Sequence, residues 1–272
     1  MHPTLSTVCS LNASIETIVA DYAAGHCNTI ELWLGHAENY IAENSISSLK
    51  DLFLAHDVNV VAASFQGGLL TDSQDARVEH VKHFTSRLDM LQAIGVPLLI
   101  ISGDVFSPIE PQGLGNLSHH LTEATKMAAD RGIRLALEFD SRASFPNNLQ
   151  SAIALVDDVG LPSLGICLDW FHWTTGPSKL QDLALLSNDN LAHVQLWDIA
   201  DVPREMARDS DRILPGEGCS PPQPLIDWLA KIGYSAAVSV ELHNPSLWQV
   251  PPRQFGEIAI TALRKTLGQA DM

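Results

Sequence analysis

Three acidic residues close short apolar runs in this 272-residue chain: Glu138 ends Leu135-Ala136-Leu137-Glu138, Asp169 ends Ile166-Cys167-Leu168-Asp169, and Glu241 ends Val238-Ser239-Val240-Glu241. A carboxylate at the end of an apolar strand is costly to bury unless it is paired or metal-bound. Three of them brought to one place would repel each other, and a divalent cation is the simple remedy. A fourth run, Ala192-His193-Val194-Gln195-Leu196-Trp197-Asp198, carries two further ligand candidates. His193 and Gln195 share a face because strand side chains alternate with period two. A cation held this way is a Lewis acid that can polarise an oxygen of a bound substrate.

The elements that must position these residues repeat along the chain. Strands are expected at Leu5–Ser10, Thr29–Leu34, Asn59–Ser64, Pro97–Ser102, Arg134–Phe139, Leu164–Leu168, Ala192–Trp197 and Ala236–Leu242. Several are apolar on both faces, as strands covered by helices are. Helical spacing marks Ile15–Ala24, Ile46–His56, Asp75–Ile94, Leu117–Arg131, Leu149–Val159, Leu180–Leu186, Leu225–Ile232 and Phe255–Leu267. Many of these stretches end at a glycine, the usual helix stop before the next strand. Eight alternating units in about 250 residues predict an α/β fold, a closed (β/α)₈ TIM barrel, as one domain over residues 1–272. A doubly wound sheet would want a glycine-rich phosphate turn after an early strand. Gly113-Leu-Gly115 lacks the third glycine of such a turn.

Composition narrows the partners. Sixteen Lys and Arg against 32 Asp and Glu give a net charge of −16. With no basic run to track phosphates, neither nucleic acid nor an anionic membrane is expected as a partner. No apolar stretch approaches the ~18 residues of a spanning helix, and no signal peptide is visible. Cys9, Cys27, Cys167 and Cys219 are scattered without a C-x-x-C, which suits free thiols in a reducing cytoplasm. The composition leaves room for a homo-oligomer.

Leu135–Asp140 (LALEFD), Gly165–His172 (GICLDWFH), His193–Asp198 (HVQLWD), Arg212–Gly218 (RILPGEG) and Gly233–Asn244 (GYSAAVSVELHN) together resemble the xylose isomerase-like TIM-barrel superfamily. That group includes sugar isomerases and epimerases, inosose dehydratases and isomerases, 3-dehydroshikimate dehydratases and endonuclease IV. The resemblance implies one divalent metal held by Glu138, Asp169, a strand-seven residue and Glu241. Most relatives place a histidine three residues before the acidic position that is Asp198 here, and that count reaches Gln195. Bacterial 3-dehydroshikimate dehydratases likewise carry glutamine there. Gln195 also lies nearer the strand's C-terminal end, so it is the expected ligand, with His193 the alternative. The oxygen-rich set favours Mg²⁺ or Mn²⁺ over zinc.

His172, in the D-x-x-H element, is expected to donate to a substrate oxygen or to act in acid–base catalysis. Arg212 matches a position that binds substrate hydroxyls or carboxylate, and Glu217 is a weaker contact. His36 and Gln66 are candidate polar lining beyond strands two and three. At least half of Trp33, Trp170, Trp173 and Trp197 are expected in the core, and His119-His120 on the surface. The leading expectation is a metal-dependent isomerase or epimerase of a small polyhydroxy ketone such as a ketose, with Glu138 and Glu241 exchanging a proton. The alternative is a dehydratase of a cyclic hydroxy-ketone such as 3-dehydroshikimate or an inosose, with His172 assisting loss of a β-hydroxyl. Phe139-Asp140-Ser141-Arg142 does not look like the corresponding segment of the dehydroshikimate enzymes. Endonuclease IV relatives use a trinuclear zinc site, more histidines and a basic rim, and the charge here argues against that chemistry.

Overall fold

The apolar runs pair side by side as parallel strands, because each is too apolar to leave either face in water. A computed structural model describes residues 1–70 and 74–270. Its strands are β1 (His2–Ser6), β2 (Thr29–Trp33), β3 (Asn59–Gln66), β4 (Leu98–Gly103), β5 (Arg134–Phe139), β6 (Leu164–Asp169), β7 (Leu191–Leu196), β8 (Asp198–Ile199), β9 (Arg212–Ile213) and β10 (Ala237–Val240). Eight of them close into a barrel in the order β1-β10-β7-β6-β5-β4-β3-β2, and β8 and β9 form a separate antiparallel ribbon. The expected (β/α)₈ architecture is what the chain adopts.

By packing, the chain divides into residues 1–62 with 194–272, and residues 63–193. In the first unit β1 sits between two parallel neighbours, with Leu5 opposite both Val240 and Ile30. α1 (Ile15–Ala24) packs on α9 (Pro252–Thr266), and α9 packs on β1. Ser14 caps α1 by accepting from the Thr17 N–H, so its first turn is anchored by its own sequence. In the second unit β4, β5 and β6 run in continuous register, from Leu98↔Arg134 to Glu138↔Cys167. α4 (Gln74–Ile94), α5 (Pro111–Ala129) and α6 (Leu149–Val159) belong to this unit. Asn148 caps α6, which ends at Gly160 with φ +63°, a left-handed turn that glycine adopts without cost.

Several boundaries differ from the sequence expectation. The first strand ends at Ser6, and Thr7–Ser10 forms a 3₁₀ turn. All four turn residues are buried, so hydrophobicity does not distinguish turn from strand there. Two helices begin directly at strand ends: α2 (Leu34–Ile41) after β2 and α7 (Trp170–Thr175) after β6. Their apolar first residues read as a continuation of the strand. Leu180–Leu185 is a 3₁₀ helix rather than a full α-helix, and α5 starts earlier than Leu117 because Pro111 suits a first helical turn. The remaining helices are α3 (Ile46–Ala55) and α8 (Gln223–Lys231). Among the described residues, no helix is long and apolar enough to cross a membrane.

None of the four cysteines is in a disulfide, and Cys9, Cys27 and Cys167 are buried while Cys219 is exposed. Burial pushes the Cys27 thiol up to about 11 and the Cys9 thiol well above its ordinary value. The thiolate is the reactive form. A thiol-reactive dye should therefore label one cysteine per native chain at pH 8, and Cys219→Ser should remove that label. Fast labelling of two or more would contradict this packing.

Candidate metal centre

In the unit formed by residues 63–193, β5 delivers Glu138 and β6 delivers Asp169, which is fully buried. α7 starts on the residue after Asp169, so His172 comes back over it at the i,i+3 spacing of a helix. One ligand atom from each of Glu138, Asp169 and His172 lies within 4.8 Å of the others. Asp169 spends Oδ1 on the Phe171 N–H at 2.7 Å, capping the short helix, and turns Oδ2 towards His172 Nε2 at 3.8 Å. Glu138 Oε1 is 3.9 Å from the same nitrogen. Two oxygen donors and an imidazole at this spacing suit a divalent ion.

The other side of the His172 ring is held by the segment after β5. The Ser141 N–H donates to Nδ1 at 3.3 Å, and Asp140 Oδ1 lies 3.4 Å from it. Nδ1 can accept from Ser141, which leaves the proton of a neutral ring on Nε2, or donate to Asp140, which leaves the Nε2 lone pair facing Glu138 and Asp169 as a ligand. Burial pushes the Asp140 carboxyl up, but the Arg142 side chain, the neighbouring His172 imidazole and the Arg142 backbone N–H together outweigh it and leave the group below its usual range.

In the other unit, Gln195 on β7 donates from Nε2 to Glu31 Oε1 on β2 at 3.1 Å, and the Ser239 hydroxyl on β10 donates to Glu31 Oε2. Gln195, Ser239 and Glu31 are all fully buried. Glu241 directly follows β10; its Oε2 is 3.5 Å from Arg212 Nη1 and its Oε1 is 3.4 Å from His243 Nε2. Burial raises the Glu241 carboxyl, opposed by His243 and Arg212 and reinforced by Glu31. Burial lowers His243, but the Glu241 charge overcomes it and the imidazole ends above its ordinary value. Arg212, on β9, is itself buried. Asp209 Oδ1 accepts from its Nε and Nη2 at 3.2 and 3.0 Å, and the guanidinium lies 5.1 Å from the centre of the Trp197 ring. This corner holds a fixed cation beside a carboxylate of raised proton affinity.

The other sequence candidates are distributed as follows. His193 is buried on β7 in the unit of Glu138, and it is not a member of the three-residue cluster. His36 is buried with one ring nitrogen 3.0 Å from Thr7 Oγ1 and the other 3.4 Å from the Leu11 carbonyl; burial keeps it below its ordinary pKa. Gln66 donates to the Gly67 carbonyl and accepts from Arg87 Nη1 at 3.1 Å. Glu217 is exposed, in a groove lined by Gln223 of α8 and by Glu257 and Lys265 of α9. Trp170 and Trp173 stack at 4.5 Å and are buried, as is Trp197. His119 is exposed, 3.6 Å from Glu123. Sequence reasoning passed over Glu31, Asp140 and His243. Glu31 is an acid in mid-strand, in Thr29-Ile30-Glu31-Leu32-Trp33, and that is the signal that could have found it.

Residues 20–265 match the family model described as xylose isomerase-like TIM barrel. The chain belongs to the xylose isomerase-like TIM-barrel family. Within the curated members, it is 25% identical over 214 residues to an inosose isomerase of Halalkalibacterium halodurans, covering 78% of this chain and 76% of the relative. It is 27% identical over 124 residues to a D-psicose 3-epimerase of Enterocloster bolteae, covering 45% and 38%. A crystal structure of the IolI protein with a bound zinc atom has the same fold, with a TM-score of 0.93 at 21% identity over the full length of both chains. In this chain, Glu138, Asp169 and His172 converge within the spacing that ligands of one divalent ion would need.

The Asp140–Arg142 pair makes a prediction. A carboxyl held below its unfolded value of ~3.9 contributes stability above that pH and loses it as pH falls through the folded value. Arg142 is over half exposed, so the net worth is about 1 kcal/mol. Asp140→Asn should lower urea-unfolding stability by that amount at pH 7, and the gap to wild type should close as pH falls below the usual carboxylate range. A gap independent of pH would show that charge is not the cause.

Proposed function

We propose that the protein is a divalent-metal-dependent isomerase or epimerase of a small polyhydroxy ketone. The observation that carries the reading is the convergence of Glu138, Asp169 and His172 at the ends of β5 and β6. The inosose isomerase relative favours a cyclic ketone as substrate. The metal would be held by Glu138, Asp169, Gln195 and Glu241, with His193 the alternative to Gln195; each of the four lies at or directly after the C-terminal end of its strand, the end that carries the active site in this fold. When bound, the ion supplies Lewis acidity at a substrate carbonyl. Zinc in the IolI structure fits a divalent site in the family, and the three carboxylates and amide of this chain favour Mg²⁺ or Mn²⁺.

The chain's own groups do the rest. Glu241, its proton affinity raised by burial, is suited to taking the proton on the carbon next to the carbonyl. Glu138 returns it, and the two carboxylates exchange roles in the reverse direction. His172 carries a proton on Nε2 when Ser141 donates to Nδ1, which makes it a donor to a substrate oxygen. Arg212, locked by Asp209 and Trp197, binds a hydroxyl or carboxylate of the substrate. Gln195 at the strand-seven position also supports a second reading, a dehydratase in which His172 assists departure of a β-hydroxyl.

The purified protein should take up about one Mn²⁺ per chain, and Glu138→Gln or Asp169→Asn should abolish tight binding. Proton NMR of an inosose or ketose with the loaded enzyme in D₂O should show deuterium entering next to the carbonyl and a new isomer. Loss of water instead would select the dehydratase. No metal uptake would defeat both readings.

Glu241→Gln should cost at least ~10²–10⁴-fold in turnover, the usual contribution of general acid–base catalysis. His172→Ala should cost less in an isomerase and about as much in a dehydratase. Small, equal losses from both substitutions would remove both residues from the chemistry.

A further inference from the structure

Resting on the metal reading above, we infer that Glu31 is a positioning residue: it orients the amide of Gln195 so that the oxygen, not the nitrogen, is the donor available to the metal. A glutamine side chain ends in an acceptor and a donor of nearly equal shape, and only its partners decide which faces which way. A ligand histidine has no such ambiguity between oxygen and nitrogen. A glutamine ligand therefore needs a partner that breaks the symmetry. Glu31 Oε1 is an acceptor 3.1 Å from Gln195 Nε2, which fixes the nitrogen on the Glu31 side and turns Oε1 away from it.

The arrangement is built rather than incidental. Glu31 stands on β2, Gln195 on β7 and Ser239 on β10, with Ser239 in register opposite Gln195 and Ser6 of β1 in register opposite Glu31. Ser239 holds the second carboxylate oxygen, so the carboxylate plane is fixed from both ends. All three residues are fully buried. Whether or not a proton is shared between Ser239 and Oε2, the oxygen facing Gln195 accepts. Burying a carboxylate this deeply is costly, and orienting one amide is what the geometry returns for that cost.

Two substitutions separate this role from a charge effect. Glu31→Met removes the acceptor with little change in length. Glu31→Gln removes the charge but keeps an acceptor, because its carbonyl can face Gln195 while its amide donates to the Ser239 hydroxyl. Mn²⁺ titration by calorimetry, with free ion followed by EPR, should show Glu31→Met binding about 10–100-fold more weakly than wild type, the usual effect of losing an outer partner of a ligand. Glu31→Gln should stay within about threefold of wild type, well short of that loss. Equal losses in both variants would assign Glu31 an electrostatic role and overturn the inference, as would full affinity in Glu31→Met. A metal-free readout runs beside it. In protein labelled with ¹⁵N-glutamine, the side-chain amide protons of Gln195 should exchange slowly in wild type and in Glu31→Gln, and fast in Glu31→Met. Should Glu31→Met fail to fold, the wild-type signal still decides: exchange as fast as that of exposed glutamines overturns the inference. Wild-type protein that takes up no Mn²⁺ at all defeats the metal reading itself, and this inference with it.

Discussion

Burying a carboxylate in an apolar barrel constrains almost everything else in this chain. Glu31 and Asp169 are fully buried and Glu241 nearly so, and each would cost several kcal/mol without partners. Each has its own arrangement. Asp169 is held by the backbone of the helix it starts, Glu31 by an amide and a hydroxyl from two other strands, and Glu241 by a buried arginine and a histidine. The secondary structure near the site follows from these needs. α7 begins where it does because Asp169 is its cap, and the β8–β9 ribbon carries Arg212 to Glu241.

The two clusters differ in electrostatic character. Glu138, Asp169 and His172 form a group rich in acceptors, and such a group suits a cation. Glu241 instead has a fixed positive partner in Arg212, itself anchored by Asp209 and the Trp197 face. A carboxylate poised between burial, which raises its proton affinity, and a cation, which lowers it, is suited to moving a proton in either direction. Isomerisation asks for that reversibility, since a group that takes a proton in one direction must give one in the other.

The Gln195 position joins these themes. An amide contributes no charge, so the proposed ligand set would keep three carboxylates against one divalent ion. The Gln195 amide donates to Glu31, and Glu31 accepts from Ser239 in turn. A polar network of this kind is worth most when every member is satisfied, because the same low dielectric that strengthens its bonds makes a missing one expensive.

The barrel and the candidate residues at its strand ends were legible in the sequence because they rest on local signals. Runs of alternating strand and helix character specify βα units, and Glu138, Asp169, Gln195 and Glu241 stand out as polar residues at the ends of apolar stretches. Strand ends were less legible. The buried 3₁₀ turn after β1 and the helices that follow β2 and β6 without a break share the apolar character of the strands they continue. Pairings between residues far apart in the chain were decided by tertiary structure alone. Glu31 is separated from Gln195 by 164 residues and from Ser239 by 208, and nothing in Thr29–Trp33 names its partners. Sequence fixes which side chains a strand can present, since alternation is local; which of them meet is set by the order and register of strands in a closed sheet, which no single segment encodes.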